Sequence, residues 1–320
     1  MLFSNLVFFT IALIVLGFSA YWLVRSLSKI ASYLKISEFV LGFILLAVST
    51  SLPELFVGIK SALVQTPALS LGNIIGANIL NLTLAIGIPI IIGRHVIVKS
   101  QASKKDATYM FLIAILPIVL YIIGNGLSKI DGIILLTLFI LYARTVLVEK
   151  KDYKKPMKVK MSRRQAVFHT AVFMASLGLL FKSADYVVTY ATLISRELGL
   201  SEFLIGVFIV SIGTTLPELT VGTLAALTKH YEMAVGDVIG SVIVNSTLIL
   251  GTVSIIHPIV TDFNLLLASG VFMIIIAYMF SVLLREKNEL NWREGIGFLI
   301  IYLIFIAYQL FFELGFVVNI

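Results

Sequence analysis

Two five-residue stretches, Thr50-Ser51-Leu52-Pro53-Glu54 and Thr214-Thr215-Leu216-Pro217-Glu218, each set two hydroxyls, a proline and a carboxylate inside a long apolar run. A proline offers no N–H to the carbonyl four residues before it, and its ring crowds the preceding turn. In hydrocarbon a carbonyl released in this way must find another partner, and a cation is one. An acid at that depth is expensive and by default marks an ion or proton pathway. Thr50, Ser51, Thr214 and Thr215 supply hydroxyl oxygens, and Glu54 and Glu218 supply charge. Asn81 and Asn245, one apolar segment further along each half, add side-chain oxygens. Such a set suits a hard cation: Ca²⁺ takes about 6 to 8 oxygens at about 2.3 to 2.6 Å, and two carboxylates neutralise one divalent charge.

Other chemistries are poorly served. There is no cysteine, which excludes disulfides, thiolate metal sites and thiol redox chemistry. The four histidines, His95, His169, His230 and His257, share no motif spacing for a softer metal. Neither H-E-x-x-H nor G-x-S-x-G occurs, so an enzyme is not expected, nor is a resident cofactor; the ions are cargo. Two buried carboxylates cannot both stay ionised without counter-charge. Ca²⁺ leaving such a site must therefore be replaced by monovalent cations or protons before the site reorients, which is exchange.

The elements that position these residues are membrane helices. The chain of 320 residues is 59% hydrophobic, with mean hydropathy +1.06, more apolar surface than a soluble core can hide. Its apolar runs are too long for barrel strands. Charged and turn-rich points divide it into ten spans, at roughly 3–24, 38–63, 70–93, 107–124, 131–148, 165–190, 202–227, 234–257, 263–284 and 294–318. The first lacks a preceding basic residue and exceeds a signal core, so it reads as a helix.

Counting Lys and Arg tests the division. The loops after spans 1, 3, 5, 7 and 9, with the helix ends beside them, hold 20 of the 24 basic residues; the rest are Lys60, Lys129, Lys182 and Arg196. The positive-inside rule then puts the odd-numbered loops in the cytoplasm of a multi-pass cell-membrane protein, with both termini outside. The same loops explain the net charge of +7 without nucleic acid, and no obligate protein partner is evident. Lys182 and Asp185 read as a local i, i+3 pair.

A shift of 164 residues superimposes Phe39–Gly58 on Phe203–Gly222 without a gap, keeping Gly42/Gly206, Thr50/Thr214, Pro53/Pro217 and Glu54/Glu218 identical. It goes on to pair Gly72-Asn73-Ile74-Ile75-Gly76-Ala77 with Gly236-Asp237-Val238-Ile239-Gly240-Ser241, then Asn81 with Asn245 and Gly87 with Gly251, and reaches back to Ser19-Ala20 and Ser183-Ala184. The glycines at i, i+4 read as close-packing positions. The chain is expected to be an all-α integral membrane protein: a five-helix repeat at 1–148, a basic cytoplasmic linker at 149–164, and a second five-helix repeat at 165–320. Five is odd, so the second copy enters the membrane inverted, and the broken helices meet at the midplane.

These residues resemble the paired alpha repeats of the cation/calcium antiporter superfamily, G-S/T-S/T-x-P-E followed by G-N-x-x-G-S/A-N-x-x-N, and are most similar to prokaryotic sodium/calcium exchangers. The resemblance implies a core of spans 2, 3, 7 and 8, with spans 1 and 6 sliding across it. It places ion ligands at Ala47, Thr50, Ser51, Glu54, Ala77 and Asn81, and at Ser211, Thr214, Thr215, Glu218, Ser241 and Asn245. Ca²⁺ would lie between Glu54 and Glu218, with Na⁺ towards Ala77 and Ser241. The chain departs from the pattern at Ser49 (glycine in the family, as at Gly213), Ala77 (serine) and Asp237 (asparagine). Asn245 stands where potassium-dependent members are acidic, which argues against K⁺ co-transport. The expected activity is Ca²⁺/Na⁺ antiport; H⁺/Ca²⁺ antiport on the same carboxylates and a cation channel are the alternatives.

Overall fold

The computed structural model describes residues 2–33, 46–97, 101–149, 161–287 and 289–318. Helix α1 spans Leu2–Tyr33. The first Pro-Glu stretch is split between α2, Leu46–Thr50, and α3, Leu52–Leu63. Helix α4, Pro67–Leu80, runs through a π turn at Asn81–Ala85 into α5, Ile86–Gly93. Strand β1, His95–Ile97, and helices α6, Gln101–Gly124, and α7, Lys129–Glu149, complete the first half.

The second half opens with α8, Arg163–Leu198, set by a Ser162/Gln165 capping box at its start and left-handed Gly199 at its end. Helix α9, Glu202–Ile205, continues through a π turn at Gly206–Val210 into α10, Ser211–Thr214, and then α11, Leu216–Leu227. Helix α12, Tyr231–Val244, passes through a π turn at Asn245–Ile249 into α13, Leu250–Ile256. Helix α14, Phe263–Glu286, strand β2, Glu289–Asn291, and α15, Trp292–Val318, close the chain.

The 164-residue offset of the sequence is also an offset of the structure. It carries α3 onto α11, α4 onto α12 and one π turn onto the other, residue for residue. Among the described residues seven helices are long and apolar enough to cross a membrane, and the pair 202–214 with 216–227, bent by 42°, makes an eighth. Of the other two expected spans, 38–63 begins outside the described residues, and α7 is one helix that carries Lys129, Asp131 and Arg144. Residues 150–160 of the basic linker and the Gly42 end of the first repeat also lie outside them.

Helices α1 and α8, expected as spans of ordinary length, have 32 and 36 residues. At about 1.5 Å per residue both exceed a hydrocarbon core of about 30 Å. They pack antiparallel. Asn5 Nδ2 near the start of α1 donates to Glu197 Oε1 near the end of α8 at 3.0 Å, and Phe8 stacks on Tyr190 at 5.4 Å. Their small residues Ser19, Ala20, Ser183 and Ala184 are all buried. With Val57, Leu69, Ile205 and Val210 the pair forms an apolar cluster separate from the main core, which α4 to α7 and α12 to α15 share.

Glycines set the closest approaches in that core. A methyl group on Gly72 would lie 1.9 Å from the Phe203 carbonyl oxygen, so α4 touches the backbone of α9. A methyl on Gly87 would meet the Gly295 oxygen at 3.0 Å, and one on Gly251 the Gly132 oxygen at 3.0 Å, docking α15 on α5 and α7 on α13 in matching fashion.

The all-helical architecture carries two small β contacts between its connections. Strands β1 and β2 form an antiparallel ribbon with Val96 opposite Leu290, both buried, and Leu127 bridges Ile259 in a second small contact. The ribbon joins the connections after the third and ninth expected spans, the bridge those after the fourth and eighth. Loops brought to the same end of adjacent helices find each other's unpaired backbone groups, which a hydropathy pattern does not reveal.

Candidate ion-binding site

The joints of the two broken helices have the same shape. Ser51 has φ −81° and ψ 6°; Thr215 has φ −82° and ψ −2°. Each proline then occupies the first turn of the following helix, where its missing N–H is no loss, and each glutamate stands one residue further in. The prolines thus begin new helices rather than bend continuous ones. Glu54 and Glu218 lie in the first turns of α3 and α11, where the positive end of a helix dipole favours an anion.

Both carboxylates are fully buried, as are Thr50, Thr214, Ser211, Ser241, Asn81 and Asn245; Ser51, Thr215 and Ala47 are nearly so. The two halves interlock through them. Ser51 Oγ donates to Glu218 Oε1 at 3.4 Å, joining the first joint to the second acid. Thr50 Oγ1 contacts Asp237 Oδ1 at 3.3 Å and Ser241 Oγ at 3.4 Å, while Thr214 Oγ1 donates to Asn73 Oδ1 at 3.0 Å. Residues 50 and 214, and 73 and 237, differ by 164. Each half's threonine therefore reaches the equivalent residue of the other half, the signature of a pseudo-two-fold contact. Glu218 also lies within electrostatic reach of Glu54 and Asp237.

Fully buried oxygens without hydrogen-bond partners collect here: both of Glu54, Oε2 of Glu218, Oδ2 of Asp237, and Oδ1 of Asn81 and of Asn245. Buried polar atoms are normally satisfied, so an unsatisfied group of acceptors, most of them anionic, is poised for a ligand that brings positive charge. Among the described residues no three His, Asp or Glu side chains are grouped to share one metal ion. A cation here would be held by few charges and many neutral oxygens.

Every residue named from the sequence is buried, and all but two present a side-chain oxygen. Ala77, fully buried on α4, has none to offer, and Ala47 offers only its carbonyl, which accepts from Thr50 at 3.3 Å. Asn245 is turned partly towards Asn78, donating to its Oδ1 at 3.0 Å, and Asn78 in turn donates to Ser246 Oγ at 3.0 Å. Both Asn81 and Asn245 open π turns, local widenings that recur at functional sites. Sequence reasoning missed Asn73, Asn78 and Asp237 as members of this network. The signal was available for the first and third, because they are partners at the 164-residue offset and one of them is charged.

The model for sodium/calcium exchanger proteins matches residues 4–148 and 168–311, one segment in each half. The chain belongs to the sodium/calcium exchanger family. The exchanger is 32% identical over 315 residues to an uncharacterized membrane protein of Methanocaldococcus jannaschii, covering 96% of this chain and 98% of that one. It is 26% identical to the sodium/calcium exchanger MaX1 of Methanosarcina acetivorans, over 95% and 97% of the two chains. A solved structure of the sodium-calcium exchanger NCX_Mj superimposes with a TM-score of 0.69 at 30% identity, covering 96% of this chain and 99% of that one. The exchanger is therefore a multi-pass membrane antiporter and not an enzyme.

Proposed function

We propose that the protein exchanges Ca²⁺ for Na⁺ across the membrane by alternating access, with Ca²⁺ held between Glu54 and Glu218. The observation that carries this reading is the pairing of the two halves at the acids: Ser51 bonded to Glu218, with three of the four glutamate oxygens unsatisfied and buried. Carbonyl and hydroxyl oxygens of Thr50 and Thr214 complete the sphere, with Ser51, Thr215, Asn81 and Asn245 beside it. Na⁺ occupies flanking positions, one towards Ala77 with Ser211 beside it and the other towards Ser241 with Ala47 beside it. Burial of the whole set favours an occluded carrier over an open channel.

The architecture behind it is ten spans in two inverted repeats with the site at the midplane, both termini outside and the basic loops in the cytoplasm. The α1–α8 pair, with its separate apolar cluster, slides across the rest. The test is radioactive Ca²⁺ uptake into proteoliposomes loaded with Na⁺, K⁺ or protons in turn. Na⁺-loaded vesicles should take up Ca²⁺ at clamped pH; uptake driven by a proton gradient alone would make the counter-ion a proton. Glu54→Gln and Glu218→Gln each remove one charge from a buried ion contact, a loss of about 2–5 kcal/mol. Ca²⁺ should bind roughly 30-fold more weakly or worse in either variant, and normal transport by both would overturn the assignment.

A further inference from the structure

The two halves differ where the long helices meet the broken ones. Between α8 and α3 the gap is filled: Phe181 and Phe56 meet edge to face at 5.8 Å, and Lys60 Nζ pairs with Asp185 at 2.6 Å. At the 164-residue offset those positions are Gly17, Thr220, Leu224 and Tyr21, which neither fill nor latch the space between α1 and α11. A cavity of about 500 Å³ lies there, within the range of about 300–1,000 Å³ usual for small-ligand pockets.

Its lining is sorted by polarity. Val24, Val221, Leu224 and Ala225 give it an apolar wall, while Arg25 and Lys29 share one face of α1 with Tyr21, at i, i+4 and i+8. The apolar run of α1 that could cross the membrane ends at Leu27, so the two cations stand at the level of the headgroups. Arg25 is held in place, its guanidinium 5.2 Å from the Trp22 ring and its Nη1 donating to the Tyr21 hydroxyl at 3.1 Å. Neither Arg25 nor Lys29 pairs with a carboxylate among the described residues. Leu224 and Met233 are exposed at the rim, which opens the cavity towards lipid. The ion site lies outside it: Glu218 is fully buried, and no ion-site side chain lines the cavity.

We infer that this cavity binds one anionic phospholipid of the adjoining leaflet, its phosphate on Arg25 and Lys29 and an acyl chain between α1 and α11. A guanidinium beside an ammonium suits a phosphate, and basic pockets between membrane helices are where anionic headgroups are recognised. A zwitterionic lipid brings the same chain but cancels its own charge, so the two cations give the preference. The consequence for transport rests on the exchange reading given above. The lipid sits between the moving helix pair and the helix that carries Glu218, and it binds only the arrangement in which they stand apart. Stabilising one arrangement of an alternating carrier slows its cycle.

Native mass spectrometry of the purified protein, titrated with palmitoyl-oleoyl phosphatidylglycerol or phosphatidylcholine, reads the binding. One phosphatidylglycerol should be retained per chain, at least about tenfold more tightly than phosphatidylcholine. Arg25→Gln with Lys29→Gln should bring the two lipids within about twofold of each other. Thr220→Phe, which puts into the cavity the ring found at the equivalent position 56 and changes no charge, should lose the tightly held lipid. Excess inorganic phosphate should not displace it, because the cavity holds the chain as well as the charge. In proteoliposomes of phosphatidylcholine at saturating Ca²⁺, added phosphatidylglycerol should slow Na⁺-driven Ca²⁺ uptake by the unmodified protein about threefold. The Arg25→Gln, Lys29→Gln variant should ignore it. Equal retention of the two lipids, undiminished phosphatidylglycerol binding by either variant, or displacement by phosphate alone overturns the lipid site; equal uptake in the two vesicles overturns its effect on transport. Absence of Ca²⁺ exchange with every counter-ion would sink the exchange reading instead, and the mass spectra would still decide the lipid site.

Discussion

At the scale of residues, the site combines strict repetition with a few departures, and the departures are where the proposed ion preference can be tested. Ser241 brings a hydroxyl to Thr50, whereas its equivalent Ala77 brings a methyl, although it is just as buried. The surroundings of Thr214 and Asn73 hold one carboxylate fewer, and their serine is Ser211, the equivalent of Ala47, rather than one at position 77. Ala77→Ser supplies the hydroxyl at little steric expense. A polar contact of this kind contributes about 1 kcal/mol, so the variant should reach half-maximal Na⁺-driven Ca²⁺ uptake at roughly fivefold lower Na⁺. An unchanged Na⁺ dependence would mean that no ion visits position 77. The two acids could be read from the sequence, because each violates a rule for membrane helices. Asp237 was visible as a family deviation and as the charged partner of Asn73 at the 164-residue offset. Its contact with Thr50 was not, because it joins residues 187 apart in the chain across the interface of the halves.

At the scale of elements, the 164-residue offset predicted which helices match, and α3 with α11, α4 with α12, and the paired π turns agree with it to the residue. The π turns themselves were not legible, since hydropathy does not distinguish five residues of wider helix from an α-helix. Nor were contacts between helices. Lys182 and Asp185 do form the expected i, i+3 pair at 3.3 Å, yet the shorter bond of Asp185, at 2.6 Å, is to Lys60 on α3. The local pair lies within one helix and cannot affect its movement. The Lys60 bond ties the α1–α8 pair to the helix that carries Glu54. As a half-exposed ion pair it is worth about 0.5–1 kcal/mol. Lys60→Met should accordingly raise turnover by about two- to fivefold and leave equilibrium Ca²⁺ binding unaltered, while Lys182→Met should do neither. Stopped-flow Ca²⁺ uptake compared with calorimetric binding separates the two effects, and equal behaviour of the two variants would rule out a clamp at Lys60.

At the scale of the whole molecule, two small β contacts give an independent check on the order of the spans. The ribbon of β1 and β2 holds residues 95–97 against 289–291, and the Leu127–Ile259 bridge holds the next connection in each half against its counterpart. One helix lies between the contacts in each half, α6 and α14, and these run antiparallel along each other. Tyr121 accepts from the Thr261 amide and donates to the Thr261 carbonyl, both at 2.8 Å, and further along Phe111 meets Tyr278 at 5.5 Å. Two helices crossing side by side between two tied ends must cross the same thickness, so the ribbon and the bridge belong on opposite faces of the membrane. The positive-inside rule predicts which face is which: Arg94, Arg285, Lys287 and Arg293 flank the ribbon, expected in the cytoplasm, whereas Lys129 is near the bridge. Since the chain has no cysteine, one introduced thiol reports its own side without background. In intact cells a membrane-impermeant maleimide should label Val260→Cys, exposed beside the bridge, and should reach Glu286→Cys beside the ribbon only after permeabilisation. Labelling of both from one side would refute the inverted arrangement and with it the midplane meeting of Glu54 and Glu218. The reverse pattern would keep the repeats and turn the whole exchanger over.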